Sequence, residues 1–146
     1  MSTPPPFSLE AYWPYHVAVL GDLVARHTTR VAQEIGGLNL SQWRVLAAVG
    51  EMPGRTAQEV VAVTPMDKGI VSRAVQTLVK RGYISRAEVA HDRRQAALSL
   101  TPDGDALYGQ IGSALSAAVA PVTEALGDAD GFLEDLRRAA EAYRTL

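Results

Sequence analysis

The fold of this chain is decided by residues Thr56 to Thr101, which read TAQEVVAVTPMDKGIVSRAVQTLVKRGYISRAEVAHDRRQAALSLT. The stretch begins with the pattern of a capping box, in which the Thr56 hydroxyl accepts a hydrogen bond from the Glu59 amide. The Glu59 carboxylate can in turn reach back to the Thr56 amide. The pattern therefore predicts a short helix over about residues 57–62.

A second start signal follows at Thr64 and Pro65. A threonine is suited to an N-cap, and a proline fits the first helical position because its missing amide proton would have no partner there. Asp67 would face the positive end of the helix dipole. We therefore expect a second helix from Pro65 to about Arg81, closed by Gly82 in the left-handed conformation.

This second helix has one apolar and one polar face. At about 100° per residue, its apolar side chains fall within one half-turn, which predicts a packed face and a face open to a partner. The apolar set is Ile70, Val71, Ala74, Val75, Leu78 and Val79, and the polar set is Ser72, Arg73, Gln76, Thr77 and Lys80.

The residues after Gly82 predict a β-hairpin. Residues 83–89 alternate as a strand, residues 90–94 hold most of the charge, and residues 95–100 return as a second strand. Two helices joined by a tight turn and followed by a hairpin with a basic tip form a winged helix–turn–helix. We therefore predict a mainly α fold with a small β-hairpin wing (α+β).

Charge is distributed unevenly along the chain. Residues 68–94 carry seven basic and two acidic groups, a balance of +5, whereas the remainder carries seven basic and fourteen acidic groups, a balance of −7. A basic surface on an otherwise acidic protein is expected of a protein that binds phosphate backbones. The alternative is a solvated charged face on an ordinary helix and hairpin.

The bulk composition excludes several classes of protein. The 146 residues fit one domain, and no apolar run approaches the ~18 residues of a membrane span. The chain has no cysteine, which excludes disulfides, thiolate metal sites and cysteine redox sensing. No secretory signal is visible at the start, so we expect a cytoplasmic protein.

Helical patterns flank the central stretch on both sides. After an extended arm over residues 1–8, helices are expected over about 9–35, 42–50, 102–126 and 131–145. We therefore predict a single domain in which residues 38–101 form the DNA-binding lobe, and residues 9–37 and 102–146 form dimerisation helices. A twofold dimer would cover the apolar faces of these outer helices. The alternative is that they pack on each other within a monomer.

Three segments together resemble the MarR (multiple antibiotic resistance regulator) family. They are residues 67–84 (DKGIVSRAVQTLVKRGYI), Asp92-Arg93-Arg94, and residues 98–104 (LSLTPDG). The resemblance implies a homodimeric, ligand-responsive transcription factor, usually a repressor, whose first and last two helices form the dimer interface. It also implies that Arg94 enters the minor groove and that Asp92 helps to aim it.

The predicted partner is a double-stranded, pseudo-palindromic DNA operator. Arg73 and Gln76 lie one turn apart, and their side chains are suited to bidentate contacts with guanine and adenine edges. The alternative is that they are plain surface residues. The complete set of predicted DNA-binding residues is Thr64, Met66, Lys68, Ser72, Arg73, Gln76, Thr77, Lys80, Arg86, Asp92, Arg93 and Arg94.

The segments 13–16 and 43–46 are similar to those of family members that respond to aromatic carboxylates. Arg44 and His16 could hold a carboxylate between flat aromatic walls, near the dimer interface. The alternative is that the aromatic residues are core packing and Arg44 is a surface residue. The predicted ligand-binding residues are Tyr12, Trp13, Tyr15, His16, Trp43 and Arg44.

Two other kinds of function are less well supported by the sequence. An enzyme would need a phosphate loop, a nucleophile elbow or a catalytic metal motif, and the chain contains none of them. The histidines at 16, 27 and 91 are too scattered for a metal site, and no cofactor is predicted. A winged helix used only for protein contacts would favour apolar or acidic residues at positions 72, 73, 76 and 80, where this chain has Ser, Arg, Gln and Lys.

Overall fold

A computed structural model describes residue 3 and residues 6–89 and 92–146, with the side chains of 88–95 left out of the description. The chain is mainly helical with one two-stranded antiparallel hairpin, as predicted. Two compact units divide it, residues 1–111 and residues 112–146. The elements are α1 (Trp13–Gly36), α2 (Leu40–Glu51), α3 (Ala57–Val63), α4 (Lys68–Lys80), β1 (Ile84–Val89), β2 (Asp92–Leu100), α5 (Pro102–Leu126) and α6 (Ala129–Tyr143).

The predicted start of the second helix of the central stretch is wrong by three residues. Helix α4 begins at Lys68, and its N-cap is Asp67, whose carboxylate accepts a hydrogen bond of 2.8 Å from the Ile70 amide. Thr64 instead ends α3, because its hydroxyl donates to the Val60 carbonyl at 2.7 Å. Aspartate is a better N-cap than threonine, so Asp67 rather than Thr64 determines the start of α4.

The other predicted helices are present with small shifts at their ends. Helix α1 begins at Trp13 rather than Leu9, with a proline in its first turn. Helix α2 begins two residues earlier than predicted, because Asn39 caps it by accepting from the Gln42 amide at 2.8 Å. Helix α6 covers 129–143 rather than 131–145, since its N-cap is Asp128. Of the predicted N-terminal arm, residues 1, 2, 4 and 5 lie outside the described part of the chain.

The hairpin is joined to the helix–turn–helix by a backbone pairing that the sequence did not reveal. Strands β1 and β2 pair with Ile84 opposite Leu100 and Arg86 opposite Leu98. On its other edge, Leu98 donates to the Arg55 carbonyl at 2.9 Å and accepts from the Gly54 amide at 2.8 Å. The turn that precedes α3 therefore lies beside β2 and holds the base of the wing against the helices.

The core of the first unit is built around the helix–turn–helix. Its largest fully buried side chains include Leu46 on α2, Leu78 on α4 and Leu98 on β2. In the second unit, by contrast, α6 has no buried residue. Within the described residues, no helix is both long and apolar enough to cross a membrane.

Candidate nucleic-acid interface

Helix α4 presents a polar, basic face to solvent. Its buried residues are Val71, Ala74, Val75 and Leu78, which confirms the predicted packed face. The exposed residues are Ser72, Arg73, Gln76 and Lys80, while Thr77 is half-buried. Because α4 contains three basic residues and no acidic one, this face is positively charged along its whole length.

The Arg73 side chain extends back over the first turn of α4. A Cβ atom placed on Gly69 would lie 3.5 Å from Arg73 Nη1, in ordinary contact, so the guanidinium lies close to the backbone of this first turn. Side chains on a helix point toward its N-terminus. Recognition helices of this type contact base edges with their N-terminal residues, so Arg73 is directed toward the end of α4 that would contact DNA.

A groove of about 620 Å³ separates the α3–α4 pair from the hairpin. Its floor is apolar and includes Val75 and Leu98, whereas polar and charged side chains from α4 and β1 surround it. Four of the predicted DNA-binding residues line it, namely Lys68, Ser72, Gln76 and Arg86. The groove therefore brings Lys68 of α4 and Arg86 of the wing to one side of the first unit.

Several predicted DNA-binding residues are placed differently. Met66 is only 8% exposed and packs in the turn between α3 and α4, so it has little surface to offer to DNA. The hydroxyl of the half-buried Thr64 is engaged with the Val60 carbonyl. The side chains of Asp92, Arg93 and Arg94 lie outside the described residues. Their roles at the wing tip stay predictions from the resemblance.

Arg81, which the sequence places in the basic segment, reaches the end of another helix. Its Nη1 donates to the Gly37 carbonyl at 3.0 Å, and its Nη2 donates to the Gly36 carbonyl at 2.9 Å. Its Cζ also lies 5.3 Å from the centroid of the Tyr83 ring. Sequence spacing gave no sign of this contact, because the partners are 44 and 45 residues apart.

The predicted ligand-binding residues fall into two groups. Those near the start of α1 are exposed, with Trp13 at 55%, and the His16 imidazole lies 2.8 Å from the Glu10 carbonyl through Nε2. Trp43 on α2 is instead a core residue at 8% exposure, and its ring stacks on Tyr108 with centroids 6.1 Å apart. Arg44, next to Trp43, is half-buried.

Within the described part of the chain, no group of three or more histidine, aspartate or glutamate residues could hold a metal ion. The surface can therefore be characterised by its donors and positive charges.

Comparison with known proteins finds similarity to one family of regulators. Residues 36–95 match the model of the MarR family. The HTH-type transcriptional regulator BilQ of Clostridium symbiosum is 31% identical over 72 residues, which are 49% of this chain and 50% of BilQ. The match thus spans about half the length of this curated relative.

Solved structures share the fold over almost the whole chain. One is the transcriptional repressor CouR bound to a 23-mer DNA duplex, with a TM-score of 0.78, 24% identity, and coverage of 95% of this chain and 99% of CouR. Another is NadR in complex with 4-hydroxyphenylacetate, with a TM-score of 0.75, 19% identity, and coverage of 97% and 98%. At this level of identity the two structures show a common fold. BilQ and CouR are named as regulators of transcription, not as enzymes.

Proposed function

We propose that this chain, whose residues 36–95 match the model of the MarR family, is a homodimeric transcriptional repressor that a small aromatic carboxylate releases from its operator. The observation that carries the proposal is the exposed basic face of α4 beside the wing. Helix α4 is apolar on the side that packs against the rest of the unit. Its exposed side is positively charged and rich in hydrogen-bond donors.

Arg73 and Gln76 are the residues proposed to read bases. Both are exposed on α4, and both carry side chains that can make two hydrogen bonds to a single purine in the major groove. Lys68, Lys80 and Arg86 are proposed to contact phosphates, which fix the position of the protein but carry no sequence information. An interaction module without DNA binding would have no use for this concentration of positive charge.

The proposed homodimer rests on apolar surface that one chain leaves uncovered. In α1 only Ala32 is buried, and the exposed residues include Leu20, Leu23 and Val24. In the second unit, Val122, Leu126 and Leu133 are exposed. Fully burying an exposed side chain of this size contributes about 1.5–3 kcal/mol, so covering the half that is still exposed contributes about half of that, and a twofold interface covers each of them twice.

The proposed effector site lies at the start of α1, near that interface. Tyr12, Trp13 and Tyr15 offer flat apolar surface. His16 and Arg44 are the hydrogen-bond donors of the two segments, 13–16 and 43–46, that predict the site. Because a carbonyl can only accept, the 2.8 Å contact with Glu10 requires a proton on His16 Nε2. NadR, a protein of the same fold, is known in complex with an aromatic carboxylate.

Binding-site selection from a random duplex library tests the DNA-binding part of the proposal. We expect the protein to enrich a pseudo-palindrome, and we expect its affinity for that duplex to fall steeply between about 50 and 200 mM salt. The matched control is a scrambled duplex of the same length and composition. Failure to enrich any sequence would contradict the proposal and favour a protein-interaction module, and so would equal affinity for the enriched and scrambled duplexes.

A further inference from the structure

Arg81 ties the end of the recognition helix α4 to the end of α1. The two bonds from its guanidinium, 3.0 Å to the Gly37 carbonyl and 2.9 Å to the Gly36 carbonyl, form a fork on one helix terminus. The last carbonyls of a helix lack intrahelical partners and carry the negative end of the dipole. A planar, permanently charged guanidinium fits two adjacent acceptors better than an ammonium does.

Two other carbonyls near this terminus have partners within the backbone. Gly37 adopts the left-handed conformation with φ of 62°, and its amide bonds to the Gln33 carbonyl at 2.9 Å. The Leu38 amide bonds to the Ala32 carbonyl at 3.2 Å. The backbone therefore satisfies the Ala32 and Gln33 carbonyls, and Arg81 supplies donors to those of Gly36 and Gly37.

Helix α1 has few other attachments within the first unit. Ala32, one turn from its end, is the single buried residue of its 24. At the end itself, Gly36 lies so close to α5 that a Cβ atom would be 2.7 Å from Leu107 Cδ1. The last turn of α1 is therefore the point about which the helix can rotate, and Arg81 bonds to carbonyls at this point.

A small rotation about the last turn of α1 produces a large displacement. A helix of 24 residues is about 36 Å long, so a 5° rotation at one end moves the other end by about 3 Å. This displacement is close to one base-pair step of about 3.4 Å. Recognition helices of a twofold dimer must lie one DNA turn apart, about 34–36 Å.

We infer that Arg81 is a positioning residue, which fixes the angle between α1 and α4 and thereby the spacing of the two recognition helices in the dimer. This inference rests on the proposed function, because it requires α1 to belong to the dimer interface. Arg81 is exposed, so the fork adds little to the stability of the chain. Its effect is on geometry.

A distance measurement in the absence of DNA tests the inference. The chain has no cysteine, so Ala62→Cys, at an exposed position on α3, gives one spin label per protomer. Double electron–electron resonance then reports the distance between the two lobes of a dimer. We expect Arg81→Gln to broaden the distance distribution and Arg81→Lys to broaden it less, since an ammonium can still bond to one carbonyl. Lys80→Gln, which removes the neighbouring charge, should leave the width unchanged.

DNA binding provides the second measurement. The probes are the duplex enriched by the wild-type protein and two derivatives with one base pair inserted or removed between the half-sites. In Arg81→Gln, the ratio of the affinity for the native spacing to the affinity for an altered spacing should fall by about half or more. Binding to the native spacing should weaken about threefold, because the fraction of dimers with the spacing that DNA binding needs drops to about one third. Lys80→Gln should weaken all three duplexes by the same factor and reduce the salt dependence.

The possible outcomes distinguish failure of the inference about Arg81 from failure of the proposed function. A dimer signal of unchanged width in Arg81→Gln, with unchanged spacing ratios, overturns the inference and leaves the proposed function intact. A lower salt dependence in Arg81→Gln with unchanged width would show that Arg81 only contacts phosphate, which also overturns it. If the labelled Ala62→Cys protein with Arg81 intact gives no dipolar signal and light scattering shows a monomer, the protein is not a dimer and both proposals fail. Thermal melting of each variant confirms that the chain remains folded.

Discussion

Replacing Arg73 with alanine should change which base pairs the protein prefers, whereas replacing Lys80 with alanine should not. Both side chains are exposed on α4, but they lie two turns apart. Arg73 lies in the first half of the helix, over Gly69, where we propose that it reaches a base edge. Lys80 is the last residue of α4, where the helix would approach the DNA backbone rather than the bases.

The expected magnitudes differ in kind. A bidentate arginine–guanine contact contributes about 1–3 kcal/mol of discrimination, so a dimer that loses it in both half-sites loses about 2–6 kcal/mol. At about 1.4 kcal/mol per factor of ten, preference for the selected duplex over one changed at that base pair falls by about 30-fold to about 10⁴-fold. Losing one phosphate contact per half-site instead lowers the slope of log K against log salt by about 1.8.

Binding-site selection with each variant, followed by fluorescence anisotropy at three salt concentrations, measures both quantities. The Arg73→Ala selection should lose information at one symmetry-related base pair, with the salt slope little changed. The Lys80→Ala selection should match the wild type, with a lower slope. Identical selected sequences for the wild type and Arg73→Ala would refute the assignment of Arg73 as a base reader.

Three further predictions follow from the proposed function. Arg94→Ala should weaken binding at an A·T-rich flank while circular dichroism stays unchanged, because a guanidinium is favoured by a narrow minor groove; a loss below about twofold would contradict this. Leu20→Glu should convert a species of twice the chain mass of 15.6 kDa into a monomer in light scattering, whereas Val63→Glu, at an equally accessible site on α3, should not. Benzoate-, salicylate- or cinnamate-like acids should raise the melting temperature and release the operator at millimolar concentration; His16→Ala and Arg44→Ala should abolish both effects, and Arg26→Ala should retain them.

The elements that the sequence predicts best are those with strong local signals. The two faces of α4 follow from the period of its apolar residues, and they are found as expected. Its first residue was predicted three positions too early, because the Thr64-Pro65 pattern favours a start at Pro65 whereas Asp67, the stronger N-cap, starts the helix at Lys68. The pairing of Leu98 with Gly54 and Arg55 was missed because it joins segments more than 40 residues apart without any side-chain pattern.

The structure divides the predicted site residues into buried and exposed ones, and residue type alone does not predict this division. Methionine and tryptophan serve equally as contact residues and as core, and the position of a residue in the fold decides between them. Met66 lies in the turn between two packed helices, and Trp43 stacks on Tyr108 from an element that follows the wing. Both are therefore buried, while the polar residues of α4 stay exposed because their alternative would be an unpaired group in the core.

Arg81 shows why a local charge count overestimates a DNA-binding surface. It contributes one of the seven positive charges in residues 68–94, yet Gly82, with φ of 82°, reverses the chain beside it and the Tyr83 ring lies against its guanidinium. The side chain is thereby directed to the end of α1 instead of along the exposed face of α4. Sequence reports the charge of a residue but not the direction in which the fold aims it. The number of phosphate contacts per protomer that the salt slope reports should therefore be smaller than the number of basic residues in the segment. The difference should be at least one, because Arg81 of each protomer bonds to the end of its own α1.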